Sequence, residues 1–384
     1  MPQLRLIGVL VLAALAVAAC EDELANQDGA GRGSGPTDAL RVDASGWETD
    51  FAKHSVPLAE FLSGGPPRDG IPPVDQPKPT SQTEADDWLA DREPVLAVEV
   101  GDQARAYPLQ ILVWHEIVND QLGGRPIAVT YCPLCNSSLV FDRRVRGRTL
   151  TFGTTGNLRN SDLVMWDRQT ESWWQQLTAE AVVGELTGTR LAVLPSQMLG
   201  WADFKRVHPE GDVLSRDTGV PRDYGRNPYE GYDQPDSDPF LFEGETDARL
   251  PPKERVIAVF TERETVVVPF RRLARKPVLE LEAGDVPVVV LYKRGVVSPL
   301  DAASIEGSRD VGTAVAFDRR VDGRTLSFER RGDGFVDDET GSRWDIAGRA
   351  VDGKLAGARL APVRHDQQFW FALAAFVPDA RIER

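Results

Sequence analysis

The chain has 384 residues and a formal net charge of −15. This charge argues against nucleic acid as a partner and against electrostatic docking onto anionic lipid, because both require a positive surface. A hydrophobic fraction of 41% and nine tryptophans can build packed cores, and the length allows two domains of ordinary size.

Residues 1–19 have the pattern of a bacterial lipoprotein signal peptide. Arg5 gives a short positive start, and residues 6–17 form an apolar run that is too short to span a bilayer comfortably. Two small residues then precede Cys20, as in a lipobox. We expect Cys20 to be lipidated and to anchor the protein to the membrane. The alternative is an ordinary signal peptide with a chance cysteine.

The segment 20–45 is polar, shows no apolar period and is expected to form a flexible tether. No later stretch of the sequence is long and apolar enough to cross a membrane. The expected location is therefore the bacterial cell envelope, on the extracytoplasmic side, with the membrane as a partner through the lipid anchor.

An internal repeat organises the rest of the chain. Residues 141–152 recur as residues 317–328 with only two differences, which chance does not produce in one chain. The match extends into a first unit at 46–215 and a degenerate second unit at 251–384, joined by a linker at 216–250. Cys132 aligns with Lys293, so the second unit lacks the cysteines and is expected to brace the first.

Short apolar strands separated by Gly and Asp turns dominate each unit, with one or two helices. The fold class is predicted as α+β and β-rich, in two tandem related units of antiparallel hairpins with a few helices. The elements predicted in the first unit are a hairpin of 95–100 with 103–107, a helix over 108–121, a strand over 127–131, a hairpin of 138–142 with 148–152, a polar loop over 153–162, a hairpin of 163–167 with 172–176, and a helix from Ser196 to about Val207.

Cys132 and Cys135 form the single CxxC motif of the chain, in Tyr131-Cys132-Pro133-Leu134-Cys135. A strand rather than a helix is predicted to follow, so the motif lies in a turn and lacks the helix N-terminus that lowers the thiol pKa in thioredoxin-like sites. Three interpretations stay open: a dithiol redox centre, a metal site and a structural disulfide. A metal, copper or zinc, would require Cys132, Cys135 and His115 with a carboxylate or water as the fourth ligand.

His115, Glu116 and Asp120 lie on the predicted helix before the CxxC strand. Glu116 and Asp120 fall on its apolar face one turn apart, and buried acids are costly unless they are paired. This placement favours roles in proton transfer or ligation. The alternative is that the acids pair with arginines or cap loops and that His115 is a core histidine.

Five separate motifs together resemble the DUF3179 family, a bacterial and archaeal family of undetermined function. The resemblance runs from about Trp47 to the C-terminus and implies no particular activity. The motifs are residues 64–72 (GGPPRDGIP), 114–120 (WHEIVND), 131–135 (YCPLC), 166–172 (WDRQTES) and 224–229 (YGRNPY).

The sequence thus favours a thiol-redox centre in the first unit. Cys132 is expected to be exposed and to attack, Cys135 to resolve, and His115 or Glu116 to assist proton transfer. The redox partner, a protein or a small molecule, cannot be read from the residues.

Overall fold

The computed structural model describes residues 40–383. These residues belong to one compact unit, and strands make up most of its regular structure. None of the described helices is long and apolar enough to cross a membrane. The predicted signal peptide, Cys20 and most of the tether lie outside the described residues.

Thirty strands and five α-helices follow one another along the described chain. The strands before residue 215 are β1 (Phe61–Ser63), β2 (Pro79–Thr80), β3 (Pro94–Val100), β4 (Gln103–Pro108), β5 (Ile117–Leu122), β6 (Arg125–Cys132), β7 (Ser137–Asp142), β8 (Arg144–Val145), β9 (Arg148–Thr149), β10 (Phe152–Arg159), β11 (Asp162–Asp167), β12 (Trp173–Gln175), β13 (Glu180–Val183), β14 (Val193–Leu194), β15 (Ser196–Gly200) and β16 (Asp212–Leu214).

The remaining elements continue in the same order. The later strands are β17 (Arg255–Phe260), β18 (Thr265–Pro269), β19 (Val278–Ala283), β20 (Val286–Lys293), β21 (Thr313–Asp318), β22 (Arg320–Val321), β23 (Arg324–Thr325), β24 (Phe328–Arg331), β25 (Gly334–Asp337), β26 (Arg343–Trp344), β27 (Ala350–Asp352), β28 (Ala361–Pro362), β29 (His365–Phe369) and β30 (Arg381–Ile382). The helices are α1 (Gln82–Ala85), α2 (Leu109–His115), α3 (Trp201–Val207), α4 (Phe270–Leu273) and α5 (Trp370–Phe376).

The strand order of the sheets recurs between the two halves of the chain. Sheets β15-β3-β4-β16-β2, β14-β7-β6-β5 and β1-β10-β11-β12-β13 lie in the first half. Sheets β29-β17-β18-β30, β28-β21-β20-β19 and β24-β25-β26-β27 lie in the second. The pairing of β4 with β16 is parallel, and so is that of β18 with β30. The β-rich α+β class is confirmed, and the division into two tandem units stays a prediction.

Two of the predicted hairpins are confirmed. Strands β3 and β4 pair in register from Val95 with Pro108 to Val100 with Gln103. Strand β11 pairs with β12 from Val164 to Trp166. In both cases the short apolar runs and the turn residues between the strands agree with the local structure.

The helix predicted over 108–121 is wrong in its second half. Helix α2 ends at His115, and Glu116 takes a left-handed conformation with φ of 58°. Residues 117–122 then form β5, which pairs with β6 along its whole length. The β-branched Ile117 and Val118 suit this strand, and the sheet pairing overrides the helical period.

Three further boundaries differ from the sequence prediction. Ser196 does not cap a helix, because Ser196–Gly200 is strand β15 paired with β3 and α3 begins at Trp201. Strand β7 pairs with β6, and only the short strands β8 and β9 form the predicted hairpin over Gly147. The polar segment after residue 152 is not a loop but strand β10, which pairs with β1 and β11.

The two halves of the chain bury parts of each other. Phe369 and Phe371, from β29 and α5, pack in the core cluster that contains Cys132 and Cys135. In the opposite direction, Lys293 at the end of β20 binds Asp203 of α3 through Nζ and Oδ1, 2.6 Å apart. The end of the central hairpin in each half is therefore covered by the last helix region of the other half.

Candidate functional site

The CxxC motif occupies a tight turn between β6 and β7. Strand β6 ends at Cys132, β7 begins at Ser137, and the amide of Asn136 donates to the carbonyl of Pro133 at 3.2 Å. Asn136 has a φ of 52°, a conformation that asparagine tolerates better than most residues. The Tyr131 hydroxyl bonds to Asn136 Oδ1 at 3.1 Å. The predicted turn between two strands is confirmed.

Both thiols are free and face each other inside the protein. Cys132 and Cys135 lie 3.6 Å apart, and both Sγ atoms approach the carbonyl oxygen of Ser161, at 3.8 and 3.5 Å. Cys132 is 2% exposed and Cys135 is fully buried. The expectation that Cys132 is exposed is therefore wrong, because the core cluster of the first half and residues 369–372 close around the turn.

Asp162 completes a three-residue cluster that sequence reasoning missed. A carboxylate oxygen of Asp162 and the two sulfur atoms all lie within 4.8 Å of one another. Asp162 Oδ2 accepts from Gln175 Nε2 and from the amide of Leu177 at 3.0 Å. Asp162 Oδ1 is buried and has no hydrogen-bond partner among the described residues. An unpartnered buried carboxylate oxygen is costly, so this oxygen calls for a partner of opposite charge or a donor.

A signal for Asp162 was present in the sequence. The segment 153–162 is longer in the first half of the repeat than in the second, so it carries residues that the common fold does not need. Because the segment was interpreted as a loop, its last residue was not assigned to a strand that faces the CxxC turn.

Burial raises the pKa values of the acidic groups of the site. Burial raises the pKa of Asp162 to about 7. Burial, and then the charge of Asp162, raise the pKa of Glu116 to about 8. Burial also raises the thiol pKa of Cys132, and that of Cys135 well above its ordinary value. The site therefore gathers several proton-bearing groups that would all ionise more easily beside a cation.

Glu116 is coupled electrostatically to Asp162 and lines a cavity. Its left-handed backbone ends α2, and the residue is 8% exposed. It lines a cavity of about 700 Å³ together with Leu134 of the CxxC turn and Tyr229 and Tyr232 of the segment between the halves. The Tyr232 hydroxyl donates to the carbonyl of Leu134 at 3.1 Å, so this segment is tied to the turn.

His115 lies apart from the cysteine cluster. Its Nδ1 is 2.7 Å from the carbonyl oxygen of Pro72, and its Nε2 is 2.6 Å from the hydroxyl of Tyr224. Both ring nitrogens thus have partners, and burial lowers the pKa of the ring. The structure does not bring His115 together with Cys132 and Cys135 as the predicted metal set required. Its geometry matches the core-histidine alternative.

Asp120 also lies apart from the cluster, in strand β5. Its Oδ2 accepts from Arg105 Nη1 and from the Tyr107 hydroxyl, both at 2.7 Å. Because residues 117–122 form a strand, Asp120 and Glu116 do not share a helix face. The alternative that this acid pairs with an arginine describes what is observed.

The second half of the chain holds the CxxC turn in place. The amide of Phe369 donates to the carbonyl of Cys135 at 2.9 Å. The amide of Ser138 donates to Asp366 Oδ1 at 3.2 Å, and Asp366 is buried. Strand β29 therefore holds the backbone at Cys135 and, three residues later, at Ser138.

The fold and the site define a β-rich protein with a buried Cys-Cys-Asp cluster beside a cavity. The model of the family described as a protein of unknown function (DUF3179) matches residues 68–380. The chain belongs to this family. No curated protein and no solved structure matches the sequence significantly.

Replacement of Asp120 by Asn is expected to destabilise the fold and to spare the cysteine cluster. The Arg105–Asp120 pair is 10% and 5% exposed, and removal of the Asp120 charge leaves buried Arg105 with Asp212 alone and the buried Tyr107 hydroxyl without its carboxylate acceptor. The expected loss in unfolding free energy is about 3 kcal/mol, measured by urea denaturation. Asp217→Asn, which breaks an exposed pair with Lys78, is the control and should change stability little. Equal stabilities of the two variants would contradict this account.

The thiols are expected to react slowly in the native protein. Both are buried and their pKa values are raised, so little thiolate is present and accessible at pH 7. Labelling of chelator-treated protein with a maleimide should be at least about tenfold slower than labelling of free cysteine, and should become fast in denaturant. Rapid labelling of Cys132 in the native state would show that the turn opens readily.

Proposed function

We propose that the cluster of Cys132, Cys135 and Asp162 binds a transition-metal ion. The observation that carries the proposal is the approach of two sulfur atoms and one carboxylate oxygen within 4.8 Å, with Asp162 Oδ1 buried and unpartnered in the described structure. These atoms are soft and hard donors of the kind that zinc accepts together.

The spacing of the thiols supports this proposal. Two thiolates bound at 2.3 Å to a tetrahedral zinc ion are separated by about 3.8 Å. The observed separation of Cys132 and Cys135 is 3.6 Å. Little movement of the turn is needed to accept the ion, and β29 already holds the carbonyl of Cys135.

The ionisable groups around the cluster also support metal binding. Burial raises the pKa values of Glu116, Cys132 and Asp162, and the charge of Asp162 raises those of Glu116 and Cys132 further. A bound dication reverses this effect, so that the ligands ionise and protons are released on binding. Copper is the second candidate ion, because thiolate ligands also suit Cu(I).

The number of protein ligands leaves one coordination position of the ion open. Three protein ligands leave a tetrahedral ion one position for water or substrate, as in catalytic zinc sites. Glu116 couples to Asp162 and lines the cavity, so it can carry a proton for a group at that position. Metal-assisted hydrolysis or hydration is the reaction class that this arrangement suits.

The proposal includes the predicted setting of the protein. The domain would be tethered to the membrane through lipidated Cys20 and would act outside the cytoplasm. The N-terminal sequence supports this part, and the net charge of −15 is consistent with a partner other than nucleic acid.

Metal content tests the proposal directly. Residues 36–384, purified anaerobically, should carry one equivalent of zinc or copper by mass spectrometry of the metal. Cys132→Ser and Asp162→Asn should each lose it. His115→Asn is the matched control and should keep it, because both nitrogens of His115 are occupied within the protein. Metal-free parent protein that also fails to take up added zinc would overturn the proposal.

A dithiol redox centre is the second candidate. The thiols are near enough to close a disulfide with a small movement, and Asp162, whose pKa is about 7, could accept a proton from the pair. Oxidation of the two thiols would transfer two electrons and two protons to a disulfide or other two-electron acceptor.

The redox candidate makes its own prediction. In metal-free protein, Cys135→Ser should trap a mixed disulfide between Cys132 and the acceptor. A potential of the Cys132–Cys135 pair well below about −300 mV, with no adduct, would instead indicate an inert structural disulfide. The parent protein's potential is measured against glutathione buffers, with Cys132→Ser as the control for nonspecific adducts.

A further inference from the structure

The cavity near the cluster has many apolar side chains in its walls. Tyr229, Tyr232, Leu134 and Leu163 line it, and its volume is about 700 Å³. Phe240 lies on the same wall and is 51% exposed, one of few large apolar side chains left in solvent. These walls favour an organic molecule with an apolar body over a bare ion or a sugar.

Lys253 is the one basic residue that lines this cavity. It is 2% exposed, and its Nζ donates to the carbonyl of Tyr232 at 2.8 Å and to Ser237 Oγ at 3.0 Å. Nζ also lies over the ring of Tyr232, 3.5 Å from its centroid, so the partners of the ammonium are two neutral acceptors and an aromatic face. No carboxylate of the described residues lies within ion-pairing distance of Nζ, although buried charges are usually paired.

The acidic residues around the cavity differ from Lys253 in burial or in charge. Glu116 is buried in the wall, and its raised pKa of about 8 keeps it neutral near pH 7. Glu230 and Asp238 are exposed at the rim, where water and salt screen them. Burial lowers the pKa of Lys253 to about 8, so the ammonium form still prevails at pH 7. Lys253 is thus the one cation in the lining, and no carboxylate of the described residues forms a salt bridge with it. Asp233 and Asp238 are near enough to raise its pKa, but Asp233 is bound to Arg255 and Arg309.

We infer that the cavity binds an organic monoanion with an apolar body, such as an aromatic or aliphatic carboxylate. The ammonium of Lys253 pairs with the anionic group, and the tyrosines and leucines cover the body. This ligand is the substrate class of the proposed metal centre, and in that respect the inference rests on the proposed function. The binding step itself needs only the cavity and Lys253.

Calorimetric titration with three matched probes tests the charge preference. The probes are 2-naphthoate, the neutral 2-naphthamide and the cation 2-naphthylmethylammonium, each added to residues 36–384 at pH 7. The anion should bind at least about tenfold more tightly than the amide, and the cation should bind weakest. Equal binding of the anion and the amide, or preference for the cation, would overturn the inference.

Variants locate the charge that is responsible. Lys253→Met keeps the length of the side chain and should weaken naphthoate binding about tenfold while leaving naphthamide unchanged. Lys78→Met removes a lysine that pairs with Asp217 on the surface and should change nothing. If Lys253→Met does not fold, Lys253→Arg and the probe series on the parent chain still decide the matter. Unchanged naphthoate affinity in folded Lys253→Met overturns the inference.

A separate arm distinguishes this inference from the metal proposal. Naphthoate should bind Cys132→Ser as tightly as it binds the parent, because Lys253 is intact. Loss of binding in Cys132→Ser would mean that the anion binds the metal, which supports the metal proposal and overturns the assignment to Lys253. Retained binding together with a parent protein free of metal would refute the metal centre and leave the anion site standing.

Discussion

The hydrogen bond from the amide of Phe369 to the carbonyl of Cys135 is the contact on which the candidate site depends. It joins strand β29, near the end of the chain, to a turn more than two hundred residues earlier. Asp366 adds a second bond to Ser138 on the other side of the turn. A short turn with two cysteines has little rigidity of its own, so the distant strand sets the position of the sulfur atoms.

The equivalent position in the second half of the chain, Lys293, shows what the fold requires where the cysteines are absent. Lys293 ends β20 as Cys132 ends β6, and the residues opposite them in the neighbouring strands are Thr313 and Ser137. Lys293 binds Asp203 and Asp333, so its charge is compensated. The first half instead holds two thiols and Asp162 with no compensating charge among these groups. Because a paired lysine satisfies the same position, stability alone does not account for the cysteines.

Local patterns in the sequence were sufficient for two of the predicted hairpins and for the CxxC turn, because each is specified by residues close together in the chain. They failed at Glu116, where the helical period of the preceding residues continues but the backbone turns left-handed and a strand follows. The assignment of His115, Glu116 and Asp120 to one face depended on that helix. Asp162 was missed for a different reason: it follows the tight turn between β10 and β11, and only the packing of this hairpin against the CxxC turn, which lies elsewhere in the chain, brings it to the cysteines.

Burial of the sulfur atoms limits how they can act. Attack by Cys132 on a disulfide of another protein would require that disulfide to reach a sulfur atom of a residue that is only 2% exposed. The hydrogen bond between the Tyr232 hydroxyl and the Leu134 carbonyl would have to break first. A metal ion needs no such exposure, since the side chains that bind metals are buried in most protein sites. Only the open coordination position must be accessible to a small molecule. The cavity supplies that access through Glu116 and Leu134. Residues of the segment 228–241 line this cavity. The arrangement therefore suits a site that admits small molecules and excludes protein surfaces.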